Sequence, residues 1–182
     1  MQTVKIVVTG PFSAGKTQFI QTISEIDVVA TERKISRSEE RIKDQTTVAM
    51  DFGRITIDEG LVLYLFGTPG QRRFDFMWEI LAEGMLGFVV LLDSVRPETF
   101  REARSILDTF RSYAPVPYVV AANKQDLSDA WSPEDLRIAL HIPGDIKVVP
   151  CMALDRESVR NVVLELLYSV LAMLDKEESA GG

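Results

Sequence analysis

Residues 10–17 read GPFSAGKT, a G-x-x-x-x-G-K-[ST] spacing set between an apolar run, VKIVVT (4–9), and a helical pattern, KTQFIQTISE (16–25). That pattern binds polyphosphate. The glycines, Gly10 and Gly15, let the backbone curl so that the N–H groups of Ser13, Ala14, Gly15, Lys16 and Thr17 can face one anion-sized hollow. The following helix turns its positive end to the same place. Lys16 adds a point charge for the outer phosphates, and the Thr17 hydroxyl is placed for a Mg²⁺ ion.

Residues 121–126 read AANKQD and follow a second apolar run, so they reach the same edge of a sheet. A carboxylate such as Asp126 accepts two hydrogen bonds, which suits the N1–H and exocyclic amine of guanine. Adenine lacks that donor pair and would leave the carboxylate unpaired. A third stretch, LFGTPGQR (65–72), leaves another apolar run and enters an aromatic-rich helical pattern.

These loops need a scaffold. VKIVVT, LVLYLF (61–66), FVVLLD (88–93), YVVAAN (118–123) and KVVPC (147–151) are nearly continuous in apolar residues, as strands buried on both faces are. VAMDFGRITID (48–58) changes its apolar phase, which predicts a bulge at Gly53, and Asp58-Glu59-Gly60 predicts a hairpin turn into the next strand. Helical patterns fill the gaps. Phe100, Ala103, Leu107 and Phe110 share a face, Ser132-Pro133 opens a helix, and an apolar stripe runs from Val162 through Val163, Leu166, Leu167, Val170 and Leu171 to Leu174. Strand–helix alternation of this kind predicts an α/β doubly wound domain over 1–175, with 176–182 a flexible, frayed tail.

Composition narrows the class further. The chain has 182 residues, a net charge of −7 and one cysteine, Cys151. An acidic chain is a poor match for a nucleic-acid backbone, and a lone cysteine gives no disulfide framework. The N-terminus reads as no secretory leader, Gln2 excludes myristoylation, the ESAGG end is no prenylation box, and no run is long enough to span a membrane. The expected location is the cytoplasm.

The order GPFSAGKT, Thr47, TPGQ, NKQD and PCMA resembles the Ras-like small GTPases over nearly the whole chain. TTVAMDFG and TPGQ look most like the prokaryotic branch, including GTPases of actinobacterial conservons and, more distantly, of gliding motility. The resemblance implies a P-loop G domain with a mixed six-stranded sheet, one antiparallel hairpin, and five helices on both faces. It implies GTP and GDP as ligands with Mg²⁺, and a nucleotide-dependent switch that hydrolyses GTP slowly. Thr17 and Thr47 would be magnesium ligands, and Gly70 would meet the γ-phosphate. Gln71 would orient the attacking water. Asn123, Lys124, Asp126 and the Ala153 N–H would hold the base. Regulators or effectors, in relatives often roadblock-type proteins, would meet switch I (31–47) and switch II (68–81).

The chain departs from that pattern at several places. The last motif is Met152-Ala153-Leu154 in place of serine-alanine-lysine, so the lysine stem over the base is lost. Phe12 stands in the phosphate loop, where it either crowds an arginine finger or folds away onto the switch. TERKISRSEERIKDQ (31–45) reads as a solvated mobile loop, or as a source of an arginine in cis from Arg33, Arg37 or Arg41, with Arg72 and Arg73 further candidates. Phe74, Met77, Trp78 and Leu81 share one face of the helix after Gln71 while Phe76 and Ile80 lie to its side, which suits a partner surface. Gly67 replaces the aspartate that in the family binds Mg²⁺ through water, and this predicts weaker Mg²⁺ affinity. Two other classes stay open: a nucleotide-binding scaffold with little hydrolysis, and a P-loop ATPase or kinase.

Overall fold

The computed structural model describes residues 1–28, 31–35, 46–70 and 74–182, with backbone alone at 31–35 and 46–49. The strands are β1 (Gln2–Thr9), β2 (Thr31–Ile35), β3 (Thr46–Asp58), β4 (Leu61–Gly67), β5 (Gly87–Asp93), β6 (Tyr118–Asn123) and β7 (Val148–Pro150). The helices are α1 (Lys16–Ile23), α2 (Phe76–Ala82), α3 (Phe100–Tyr113), α4 (Pro133–Ala139) and α5 (Arg156–Ala180). The sheet order is β2-β3-β4-β1-β5-β6-β7.

The α/β architecture and all six expected strands are present, and a seventh strand, β2, is added at the edge. β1 runs parallel to β4 and β5, and β6 parallel to β5 and β7. The single antiparallel hairpin becomes two antiparallel pairs, β3 with β4 and β2 with β3. β2 is TERKI, part of the stretch read above as a loop. A short edge strand tolerates charge and shows no apolar alternation, so it left no signal in the sequence.

β5 is buried along its whole length. Its side chains alternate between two cores. Val89 and Leu91 join Ile6, Val8, Leu63 and Leu65 under α1 and α5, with Phe19, Ile20, Val162 and Leu166. Phe88, Val90 and Leu92 join Val120 under α2, α3 and α4, with Trp78, Phe100, Leu107 and Phe110. Both faces therefore exclude water, which is why the strand sequences carry no polar alternation.

The expected bulge at Gly53 is not there. Gly53 pairs in register with Leu65, and the register shift falls between Thr56 and Asp58. Gly53 instead admits α1: a Cβ on it would lie 2.6 Å from Ile20 Cγ2. The hairpin turn at Glu59-Gly60 is present, closed by the Gly60 N–H donating to Asp58 Oδ1 at 2.8 Å.

α1 and α4 start where the sequence says. Ser132 caps α4 by accepting from the Asp135 N–H at 3.1 Å, and Asp155 caps α5. α5 buries Val162, Val163, Leu166 and Val170, then leaves the sheet, so Leu171 and Leu174 are exposed. Residues 176–180, expected in a frayed tail, continue this helix. No helix among the described residues is long and apolar enough to cross a membrane.

Candidate functional site: a phosphate hollow joined to a base-binding rim

β1 lies between β4 and β5, where the chain order reverses, and its carboxyl end opens into residues 10–15. Lys16 opens α1 and is buried, its ammonium donating to the carbonyls of Gly10 at 2.6 Å and Pro11 at 2.8 Å. Burial pushes its pKa down to about 8, partly offset by the negative charges of Asp51 and Glu102. A cation held this way gains strongly from meeting an anion.

Gly15 is where the loop meets the second motif most closely. Its φ is 98°, and a Cβ on it would lie 2.7 Å from Asn123 Nδ2. The two motifs meet there. Asn123 Nδ2 donates to the Ala14 carbonyl at 2.8 Å, and the Ala153 N–H donates to Asn123 Oδ1 at 2.9 Å. One buried amide thus ties the phosphate loop, the NKQD loop and the loop before α5. The Ala153 N–H expected to serve the base is engaged by Asn123 in this geometry. Lys124, in left-handed conformation with φ 68°, reaches over the phosphate loop. Its ammonium donates to the Ser13 carbonyl at 3.3 Å and pairs with Asp93 at 2.7 Å. Asp126 is exposed on the same rim, and Leu154 is 79% exposed.

Asp93 was missed in the sequence. It is buried, and Oδ2 also accepts from Ser13 Oγ at 3.3 Å. Its signal was an acid closing the apolar run FVVLLD. Asp51 was missed as well. Thr17 Oγ1 donates to its Oδ2 at 2.6 Å. Asp51 is the register partner of Gly67, and a Cβ on Gly67 would lie 3.2 Å from that oxygen and 2.9 Å from Ile20 Cδ1. The space beside Gly67 is therefore bounded by α1 and β3 together. Oxygen donors of this kind, a hydroxyl and a carboxylate beside a phosphate hollow, suit Mg²⁺.

Gly70 sits against the phosphate loop, where a Cβ would lie 2.5 Å from Phe12 Cα and 2.9 Å from Lys16 Nζ. The Phe12 side chain is 70% exposed. Trp78 Nε1 donates to the Pro69 carbonyl at 2.9 Å, anchoring this segment to α2. Phe74, Met77, Trp78 and Leu81 are buried and Phe76 and Ile80 exposed, as the spacing predicts. Thr47 lies in β3 opposite Lys34, and Arg33 lies in β2. Gln71, Arg72, Arg73, Arg37 and Arg41 lie outside the described residues.

A protein-family profile described as "conserved hypothetical ATP binding protein" matches residues 8–173. An uncharacterised protein of Methanocaldococcus jannaschii is 33% identical over 126 residues, 69% of this chain and 73% of that one. ADP-ribosylation factor-like protein 3 of Saccharomyces cerevisiae is 28% identical over 167 residues, 87% of this chain and 81% of the other. The mutual gliding-motility protein MglA of Myxococcus xanthus is 30% identical over 149 residues, 75% of each chain. The chain belongs to this family, and with it to the Ras-like small GTPases. The gliding-motility likeness expected from its motifs holds at that level. In this small GTPase the family's phosphate loop and NKxD loop are intact, while the magnesium aspartate at 67 is absent.

Proposed function

We propose that the protein is a molecular switch that binds GTP and GDP with Mg²⁺ and hydrolyses GTP slowly to GDP and phosphate in the cytoplasm. The observation that supports it is the Asn123 bridge, which puts the Lys16 hollow and the Asp126 rim on one continuous edge. A nucleotide lying along that edge would exchange the Gly10 and Pro11 carbonyls on Lys16 for phosphate oxygens. Loop N–H groups from Ser13 to Thr17 would hold the β-phosphate end. Asp126 would take the guanine N1–H and amine, with Asn123 and Lys124 holding the loop beneath the base.

Thr17 and Thr47 would hold the Mg²⁺, which when bound supplies charge neutralisation of the β- and γ-oxygens. The Gly70 N–H would donate to the γ-phosphate, and Gln71 would orient the water that attacks it. Loss of that phosphate would free both segments, switch I at 31–47 and switch II at 68–81. Regulatory or effector proteins, roadblock-type proteins among them, would meet those segments and the exposed Phe76 and Ile80.

Purified protein offered fluorescent GDP and ATP analogues tests the base. Retention of GDP and no competition by ATP is the expected result; retention of ATP alone would favour the adenine reading that the family description carries. Phosphate release from GTP that disappears in Gln71→Leu separates the enzyme from a scaffold that only binds nucleotide. Phe12→Gly should raise turnover with an activating partner if the exposed ring crowds its arginine, and an unchanged rate removes that role.

A further inference from the structure

α5 is apolar on more of its surface than the sheet covers. Val159, Val162, Val163, Leu166 and Val170 are buried against the core. A second row, Leu164, Leu167, Leu171 and Leu174, stands about a quarter-turn away. Leu164 and Leu167 are half-buried, Leu171 is 56% exposed and Leu174 39%. The steps along this row are three, four and three residues, the a/d spacing of a coiled-coil seam. The row ends in charge on both sides. Arg160 stands four residues before Leu164, Glu178 four after Leu174, and both are exposed. Neither enters an ion pair among the described residues.

The row is complementary to itself read backwards. A two-fold axis at Ser169 sets Leu164 against Leu174, Leu167 against Leu171 and Arg160 against Glu178, because the members of each pair are equally far from 169. We propose that this face of α5 docks a second copy of the chain, antiparallel, in a symmetric dimer. Its centre is a ladder of leucines, and an Arg160–Glu178 pair closes each end. A parallel pairing would set Arg160 on Arg160 and Glu178 on Glu178, which like charge opposes. A lipid surface is a poor occupant. Helices that lie on membranes carry lysine and arginine on the polar face, whereas this end of α5 has Asp175, Glu177 and Glu178 against Lys176. From Arg160 to Glu178 is 18 residues, about 27 Å of helix. A seam of that length is a small interface, so the dimer is weak and concentration-dependent.

Sedimentation velocity of the full chain over a rising concentration series tests this. The weight-average mass should climb from one chain toward two. Leu171→Glu should weaken association at least about ten-fold, since it sets a carboxylate inside the seam. Its urea unfolding should stay near that of the wild type, because the side chain it replaces is exposed. Arg160→Glu and Glu178→Arg should each weaken the dimer, and the double swap should restore it.

A single-chain mass at every concentration overturns the proposal. So does a dimer that Leu171→Glu leaves intact, which would use another surface. Single charge swaps without effect, or a double swap that fails to restore association, overturn the antiparallel register. Cosedimentation with phosphatidylcholine–phosphatidylserine vesicles that Leu171→Glu abolishes, from a protein that stays monomeric, gives the face to a lipid surface instead.

Discussion

Asp51 and Gly67 are register partners across β3 and β4, and a Cβ on Gly67 would crowd the Asp51 side chain, 3.1 Å from its Cβ and 3.2 Å from its Oδ2. The glycine that breaks the family pattern is thus half of a pair.

Gly67→Ala should destabilise the protein by about 1–3 kcal/mol, because the new methyl must displace Ile20 Cδ1 and the Asp51 side chain. Asp51→Gly should reduce that cost by removing one of the two obstacles. Urea unfolding of the two single variants and the double variant measures the coupling; strict additivity would show that the two positions do not share space.

Asn123→Ala should cost about 1–3 kcal/mol, since the Ala14 carbonyl and the Ala153 N–H lose their shared partner. Nucleotide retention should fall with it, because the same amide aligns the loops for both ends of the ligand. Stability and mant-GDP retention measured together check this, and a variant that keeps both would show that the bridge is dispensable.

Lys16 makes the nucleotide-free protein sensitive to pH. Folding holds its pKa at about 8, below the ordinary value of 10.5. Between those values the unfolded chain carries more protons than the folded one, so stability rises with pH across the window. The destabilisation is fully present below about pH 8 and gone above about 10.5. Burial pushes the Cys151 thiol the other way, up to about 11, which lowers stability in the alkaline range. The difference between wild type and Lys16→Met isolates the lysine: the variant should lack a rise of roughly 3 kcal/mol. Equal pH profiles by chemical denaturation would rule this out.

Trp78→Phe should cost about 1 kcal/mol by removing the Nε1–H donation to the Pro69 carbonyl while keeping most of the buried ring. Hydrogen exchange at the Thr68 and Gly70 amides should rise more than in β5, whose backbone pairs on both sides. Uniform exchange across both would show that the tryptophan does not anchor that segment.

The core strands were legible because the sheet is covered on both faces, and burial on both faces writes itself as an unbroken apolar run. The same held for the helix caps at Ser132 and the buried face of α2, where local spacing alone decides the pattern. β2 was not legible, since TERKI at a sheet edge needs no apolar alternation. The phase change at Gly53 was misread because apolar residues on two opposite faces look like a bulge when only one face is assumed to be buried. The helix at 176–180 was missed because its charged composition gives no apolar stripe.

By itself the sequence determined the G-x-x-x-x-G-K-[ST] loop, the NKQD tetrapeptide and their order along the chain, since each is a contiguous pattern set by local spacing. Tertiary structure alone decided that Asn123 closes the gap between Ala14 and Ala153, that Asp93 holds Lys124, and that Asp51 accepts the Thr17 hydroxyl. Those three depend on strand register and on loops meeting at one sheet edge. Residues far apart in the chain are brought within hydrogen-bond distance there by pairing that no single segment encodes.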